Sequence, residues 1–157
     1  MDYNKYKKVL SKVLDLLINQ VIHFLLINPE NQIFISQIKD ILITLPLKKI
    51  NNEKFFKTIS KYLDLSSNQI LIQILLGSIK NFVAIDKNNR DIENYLQYFI
   101  EGVLKLLNHP ISEIRKFAVY CCVEIYMVVG NKFEIYMQDI PKTQQNLINL
   151  FVKKRTG

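Results

Sequence analysis

Apolar residues recur with a helical period along almost the whole chain, and short polar turns interrupt that period at a regular interval. This regularity limits the fold more than any other feature. The turns fall at Asn28-Pro29, at Asp64-Leu65-Ser66-Ser67-Asn68 and at Asn108-His109-Pro110, roughly 40 residues apart. Each combines Asn or Asp with capping or helix-breaking residues, so a helix ends and another begins there. The four Gly and four Pro of the 157 residues punctuate the chain rather than fill it. Strand-type alternation and Asn-Gly hairpin signals are missing.

The periodicity predicts a first helix over Asn4–Ile27 with Val9, Val13, Leu16, Leu17 and Ile22, flanked by Leu10 and Leu14, as its apolar positions. It ends at Asn28-Pro29, because proline disfavours helix at the preceding residue. A second helix, Asn31–Leu45, turns Ile35, Ile38, Ile41, Leu42 and Leu45 inward and is closed by Pro46. A third, Asn52–Leu63, buries Phe55, Phe56, Ile59, Tyr62 and Leu63. The fourth, Asn68–Ile85, is apolar on most sides and belongs deep in the core. After the polar loop Asp86–Arg90, a fifth covers Asp91–Leu107 with Ile92, Leu96, Phe99, Ile100, Val103 and Leu107 inward. Ser112 is expected to cap the sixth, Glu113–Val129, which turns in Ile114, Phe117, Ala118, Cys121, Cys122, Ile125 and Val128 and stops at Gly130. A short helix over Phe133–Met137 and a last one over Lys142–Lys153 complete the chain.

A period of about 40–47 residues per helical pair is that of HEAT repeats. One pair cannot bury its apolar faces alone, so the pairs must stack. The expected fold class is all-α: a solenoid of about four HEAT-like pairs forming one domain over 1–157, with a plain helical bundle as the alternative. Hydrophobic residues make up 49% of the chain, enough for a core at this size. Neither Ile70–Leu76 nor Phe117–Val129 has the length and uninterrupted apolarity of a membrane span. The N-terminus lacks a cleavage site and leads into an amphipathic helix, so no signal peptide is expected.

Residues suited to chemistry are sparse. The glycines stand alone at 77, 102, 130 and 157, so no phosphate-binding loop is present. His23 lies in the apolar run Val21–Ile27 and reads as a packed histidine, while His109 sits in a turn; neither has metal-ligand spacing to a second His or Cys. Cys121 and Cys122 are adjacent on an apolar helix, a geometry that disfavours a bridge between them and keeps thiols inert. They read as core residues in a reducing compartment. The eight Tyr and nine Phe fall mostly at core spacing. No catalytic residue, metal or cofactor is expected.

The net charge of +7 favours acidic partners. Part of it is compositional, because the chain is rich in Lys, Asn and Ile throughout. In a solenoid the turns align along one edge, and here that edge carries Asn28, Glu30 and Asn31, then Ser66, Ser67 and Asn68, then Asn108, Ser112, Arg115 and Lys116. Arg115 and Lys116 have no evident local partner in the sequence. The simpler reading of the polar residues is that they cap helices. Lys153, Lys154 and Arg155 close the last helix, where cations oppose the helix dipole.

The stretch Ser112-Glu113-Ile114-Arg115-Lys116 through Val119-Tyr120-Cys121-Cys122-Val123-Glu124-Ile125-Tyr126 to Gly130 resembles the penultimate repeat of the C-terminal TOG domain of CLASP microtubule-associated proteins. Leu147-Ile148-Asn149-Leu150-Phe151-Val152-Lys153-Lys154-Arg155 is similar to that family's terminal block. Upstream of Ile92 the likeness is one of architecture. A complete domain of this kind holds six pairs, and the resemblance implies that this chain carries the last four. It also implies a protein-binding module, not an enzyme and not a nucleic-acid binder, in the cytoplasm on the microtubule cytoskeleton, spindle or cilium. The partners it implies are microtubule plus-end, kinetochore or cortical adaptors. Tubulin-binding members use an exposed Trp of the first pair, and this chain has no Trp. Direct tubulin or microtubule binding through the basic turn edge, or a generic HEAT scaffold, is the alternative. The expected contact residues are Arg115, Lys116, Asn108, Ser112, Asn68, Lys153 and Lys154.

Overall fold

The computed structural model describes residues 3–28, 30–47, 52–65, 68–85 and 91–157. The expectations placed on Pro29, Ser66, Ser67 and the loop Asp86–Arg90 lie outside them. The described residues form α1 (Tyr3–Ile27), α2 (Gln32–Leu47), α3 (Asn52–Leu65), α4 (Gln69–Ile85), α5 (Asp91–Lys105), α6 (Ser112–Val129), α7 (Glu134–Met137) and α8 (Lys142–Thr156), with no strand among them. Short 3₁₀ turns, Leu106–Asn108 and Gly130–Phe133, extend α5 and α6. The all-α stack of helical pairs expected from the turn spacing is what the chain forms.

The helices lie in two layers. α1, α3 and α5 pack side by side in one; α2, α4, α6 and α8 pack in order in the other. The core runs between the layers. Ile35, Ile38 and Leu42 of α2 and Phe55, Phe56, Ile59 and Leu63 of α3 are buried. On α5 the buried set is Ile92, Leu96, Phe99, Ile100 and Val103. α4 is buried on most of its circumference, as its all-round apolarity requires. Its Phe82 meets Phe56 with ring centroids 4.9 Å apart, and Phe99 meets Phe56 at 4.8 Å. Cys121 and Cys122 are buried and free. Gly130 ends α6 at φ 61°, a backbone region that residues with a Cβ rarely adopt.

Five local expectations are corrected. On α1, Val9, Val13, Leu16 and Leu17 are exposed, whereas Ile22 is buried as expected and Ile18 and Val21 share its face; the side chains of Leu10, Leu14 and Leu45 lie outside the described residues. α1 is apolar on two sides, so periodicity alone does not say which one packs. His23 is exposed rather than packed, because it lies off the Ile18–Val21–Ile22 face. Ile41 is also exposed. α2 runs one residue past Pro46: a proline in the final turn forfeits a single backbone bond near an end where the helix stops anyway. Ser112 does not cap α6; Ile111 occupies the N-cap position and no side chain caps the helix there.

Candidate protein-docking edge

The turn edge comprises the starts of α2, α4, α6 and α8. At the first two an Asn supplies the cap. Asn31 Oδ1 accepts from the Phe34 N–H at 3.0 Å, and Asn68 Oδ1 accepts from the Leu71 N–H at 3.0 Å, each satisfying a donor the helix start leaves open.

The third turn is built differently. Arg115 Nη1 donates to the carbonyl oxygens of His109 at 2.7 Å and Pro110 at 2.8 Å. His109 Nδ1 accepts from the Ile111 N–H at 3.2 Å. From α8, Gln144 Nε2 donates to Asn108 Oδ1 at 2.6 Å and to the Leu107 carbonyl at 3.0 Å. Arg115 therefore does have a local partner: it clamps the α5–α6 turn, using backbone carbonyls rather than an acidic group. Lys116 lies 4.0 Å from Glu113, both side chains more than half exposed, so that ion pair is weak. Among the described residues no carboxylate opposes Arg115, Lys153 or Lys154.

Between α6 and α8 lies a groove of about 400 Å³ lined by Ser112, Arg115, Lys116, Val119, Tyr120, Leu147 and Phe151. Tyr120 and Phe151 meet edge to face with centroids 5.6 Å apart. Leu147 is 41% exposed and Leu150 beside it 49%. Lys154 Nζ stands 5.6 Å from the Phe151 ring centre, a cation over an aromatic face. The arrangement is an apolar floor with a positive rim. It brings Ser112, Arg115 and Lys116 together, with Lys154 adjoining and Asn108 tied in through Gln144. Asn68 sits one pair away at the start of α4, and Lys153 is exposed near the end of α8.

Sequence reasoning did not single out the half-buried Tyr120 and Phe151, or the buried Val119, as lining a groove. The available signal was in α8: Leu147, Leu150 and Phe151 form a second stripe at i, i+3, i+4 beside the buried Ile148 and Val152.

The thiols are poorly suited to chemistry. Burial pushes Cys121 well above the ordinary thiol value and pushes Cys122 up to about 12, leaving little thiolate at neutral pH. Among the described residues no group of three His, Cys, Asp or Glu is placed to hold a metal, and no helix is long and apolar enough to cross a membrane.

Two layers of paired helices with an apolar, positively rimmed groove at one edge define a HEAT-like repeat module that presents a surface. No protein-family model matches the chain. The chain is similar to CLIP-associating protein 1-A of Xenopus laevis, 25% identical over 105 residues, which are 67% of this chain and 7% of that protein. CLIP-associating protein 1 of Xenopus tropicalis matches the same share at 25% identity. A CLIP-associated protein of Arabidopsis thaliana is 24% identical over 67 residues, 43% of this chain and 5% of the relative. These matches bear out the resemblance to the CLASP family. The chain thus spans a small fraction of the length of the curated relatives it matches.

Proposed function

We propose that this chain is a non-enzymatic protein-docking module of a CLASP-like microtubule-associated protein, acting in the cytoplasm on the microtubule cytoskeleton, spindle or cilium. Its partners in this reading are plus-end, kinetochore or cortical adaptor proteins, the first being of the CLIP type that the relatives' names record. The observation that carries the reading is the α6–α8 groove, where an apolar floor supplies anchoring area and exposed lysines select acidic character. Ser112, Lys116, Lys153 and Lys154 are the contact residues. Arg115 and Asn108 hold the α5–α6 turn that presents Ser112 and Lys116, and Asn68 caps α4 one pair away.

A second reading is direct tubulin or microtubule binding, favoured by the exposed lysines Lys116, Lys153 and Lys154. A pull-down with free tubulin and with microtubules at about 0.15 M ionic strength, where exposed charges more than about 8 Å apart are screened, separates the two. The adaptor reading expects weak or no capture of tubulin by this chain alone. Tight capture by the wild type, abolished in Lys116→Glu, would replace it with the second reading. Microtubule binding indifferent to the Lys116 reversal would remove the turn edge from both.

A further inference from the structure

α4 carries a glycine that the fold does not account for. Gly77 lies in the interior of α4, where Gly weakens a helix relative to Ala. Gly102 of α5 shows a packing reason for such a residue: a Cβ there would meet Ser60 at 3.4 Å and Leu63 at 3.5 Å of α3. A Cβ at Gly77 would meet nothing within 4 Å. Its backbone does not require glycine either, since Gly130 and Gly157 are the glycines with positive φ. What glycine supplies at 77 is a bare strip of helix backbone, open to close approach from outside.

That strip lines a second groove, of about 240 Å³, on the α4 side of α6. Ile70, Gln73, Gly77, Lys80 and Asn81 contribute to it from α4, a stripe of positions on one helix face. Lys39 enters from α2 and Phe117 from α6. Ile70 and Phe117 are partly buried and supply apolar contact. The charged residues that line the groove are two cations from different helices, Lys39 and Lys80. Among the described residues no side-chain hydrogen bond or ion pair engages Lys39, Gln73, Lys80 or Asn81.

We propose that this groove binds an acidic segment of a partner protein in extended conformation, its backbone passing over Gly77 and its carboxylates set against Lys39 and Lys80. The stripe from Ile70 to Asn81 is about 16 Å long at a helical rise of about 1.5 Å per residue. That is the reach of about five residues of extended chain at about 3.3 Å each. An extended chain brings backbone N–H and C=O groups that need partners once water is displaced. The side-chain amides of Gln73 and Asn81 donate to its carbonyls and accept from its N–H groups. Ile70 and Phe117 take an apolar side chain beside the carboxylates. Phosphate is the poorer fit, because neither an Arg fork nor a helix N-terminus lines the groove. A side chain at 77 would stand between α4 and the passing backbone. The groove shares no residue with the one between α6 and α8, so the proposal stands apart from the docking reading above.

The test is a peptide titration of the intact, isotope-labelled chain, followed by amide chemical shifts in NMR spectra. The probes are a pair of five-residue peptides, capped at both ends, with leucine at one end and two glutamates at the other, in either order, and their glutamine counterparts. At least one glutamate peptide is expected to bind with a Kd below about 1 mM, with shifts centred on Gly77, Lys80 and Asn81. The glutamine counterpart, and the glutamate peptide on Lys80→Gln, are each expected to bind about tenfold more weakly. Gly77→Ala separates binding from a structural role. It is expected to raise Tm by about 2–4 °C, because Ala is the better helix former, and to weaken the peptide about tenfold or more. Absence of binding up to millimolar peptide, glutamine peptides that bind as well as glutamate ones, or shifts confined to the α6–α8 groove would each overturn the proposal. So would a Gly77→Ala variant that binds like wild type or melts below it.

Discussion

Arg155, in the last turn of α8, reaches across to α6 and donates through Nη1 to Oε1 of Glu124, a carboxylate whose side chain is 7% exposed. The pair fixes α8 against α6 and so sets the width of the groove between them. It also gives Arg155 a role in the fold, distinct from the exposed Lys153 and Lys154 beside it in sequence.

Arg155→Ala leaves the Glu124 carboxylate buried without its cation. Removing one partner of a fully buried pair costs about 3–5 kcal/mol. Arg155 is 44% exposed, so the expected loss is smaller, about 2 kcal/mol. For a domain of this size that lowers Tm by about 4–8 °C. Arg155→Ala combined with Glu124→Gln should recover part of the loss, because the stranded charge is gone. Thermal melts of the two variants check this; an Arg155→Ala melt that coincides with wild type would show the pair to be idle.

Arg115→Ala removes a charged donor from two carbonyls of the α5–α6 turn. The site is exposed and water replaces part of the interaction, so the expected cost is about 1–2 kcal/mol. Arg115→Lys should not restore it, since both bonds come from the single Nη1 of a rigid, planar guanidinium, and an ammonium on its shorter, more flexible stem does not reach the two carbonyls in the same way. Denaturant titration reads the effect directly. A pure contact residue would leave the midpoint unmoved.

Burial holds the Cys122 thiol up at about 12, against a usual value of 9.0. Above about pH 9 the unfolded chain releases this proton while the folded chain keeps it, so the unfolded state is favoured as pH rises. Stability from this group is therefore intact below pH 9 and lost progressively toward pH 12. The slope approaches about 1.4 kcal/mol per pH unit. Tm measured across that range should fall in the wild type and fall less steeply in Cys122→Ala. Rapid labelling of native protein by a bulky thiol reagent at neutral pH would contradict the burial of both cysteines.

The repeat spacing and the cores of α3 to α6 were legible because each of those helices has one strongly apolar side or is apolar throughout. In both cases the pattern leaves no choice of face. α1 was not legible in this way: Val9, Val13 and Leu16 fit a helical period as well as Ile18, Val21 and Ile22 do, and only the position of α3 decides between them. Local capping rules placed Asn68 but failed at Ser112, because Arg115 and Gln144 organise that turn from other helical positions. The α6–α8 groove escaped notice for a related reason. Tyr120 and Phe151 are far apart in sequence, and each alone looks like an ordinary core aromatic.

The most direct test of the docking account is the affinity of the chain for a purified CLIP-type protein, measured by interferometry at about 0.15 M ionic strength. Wild type would be compared with Lys116→Glu, which reverses the rim, and Leu147→Glu, which places a charge on the groove floor. The account predicts measurable wild-type binding and a loss of about tenfold or more in each variant, equivalent to about 1.4 kcal/mol, with Tm within about 2 °C of wild type as expected for exposed positions. Equal affinity in all three proteins, or no binding by the wild type, would contradict it.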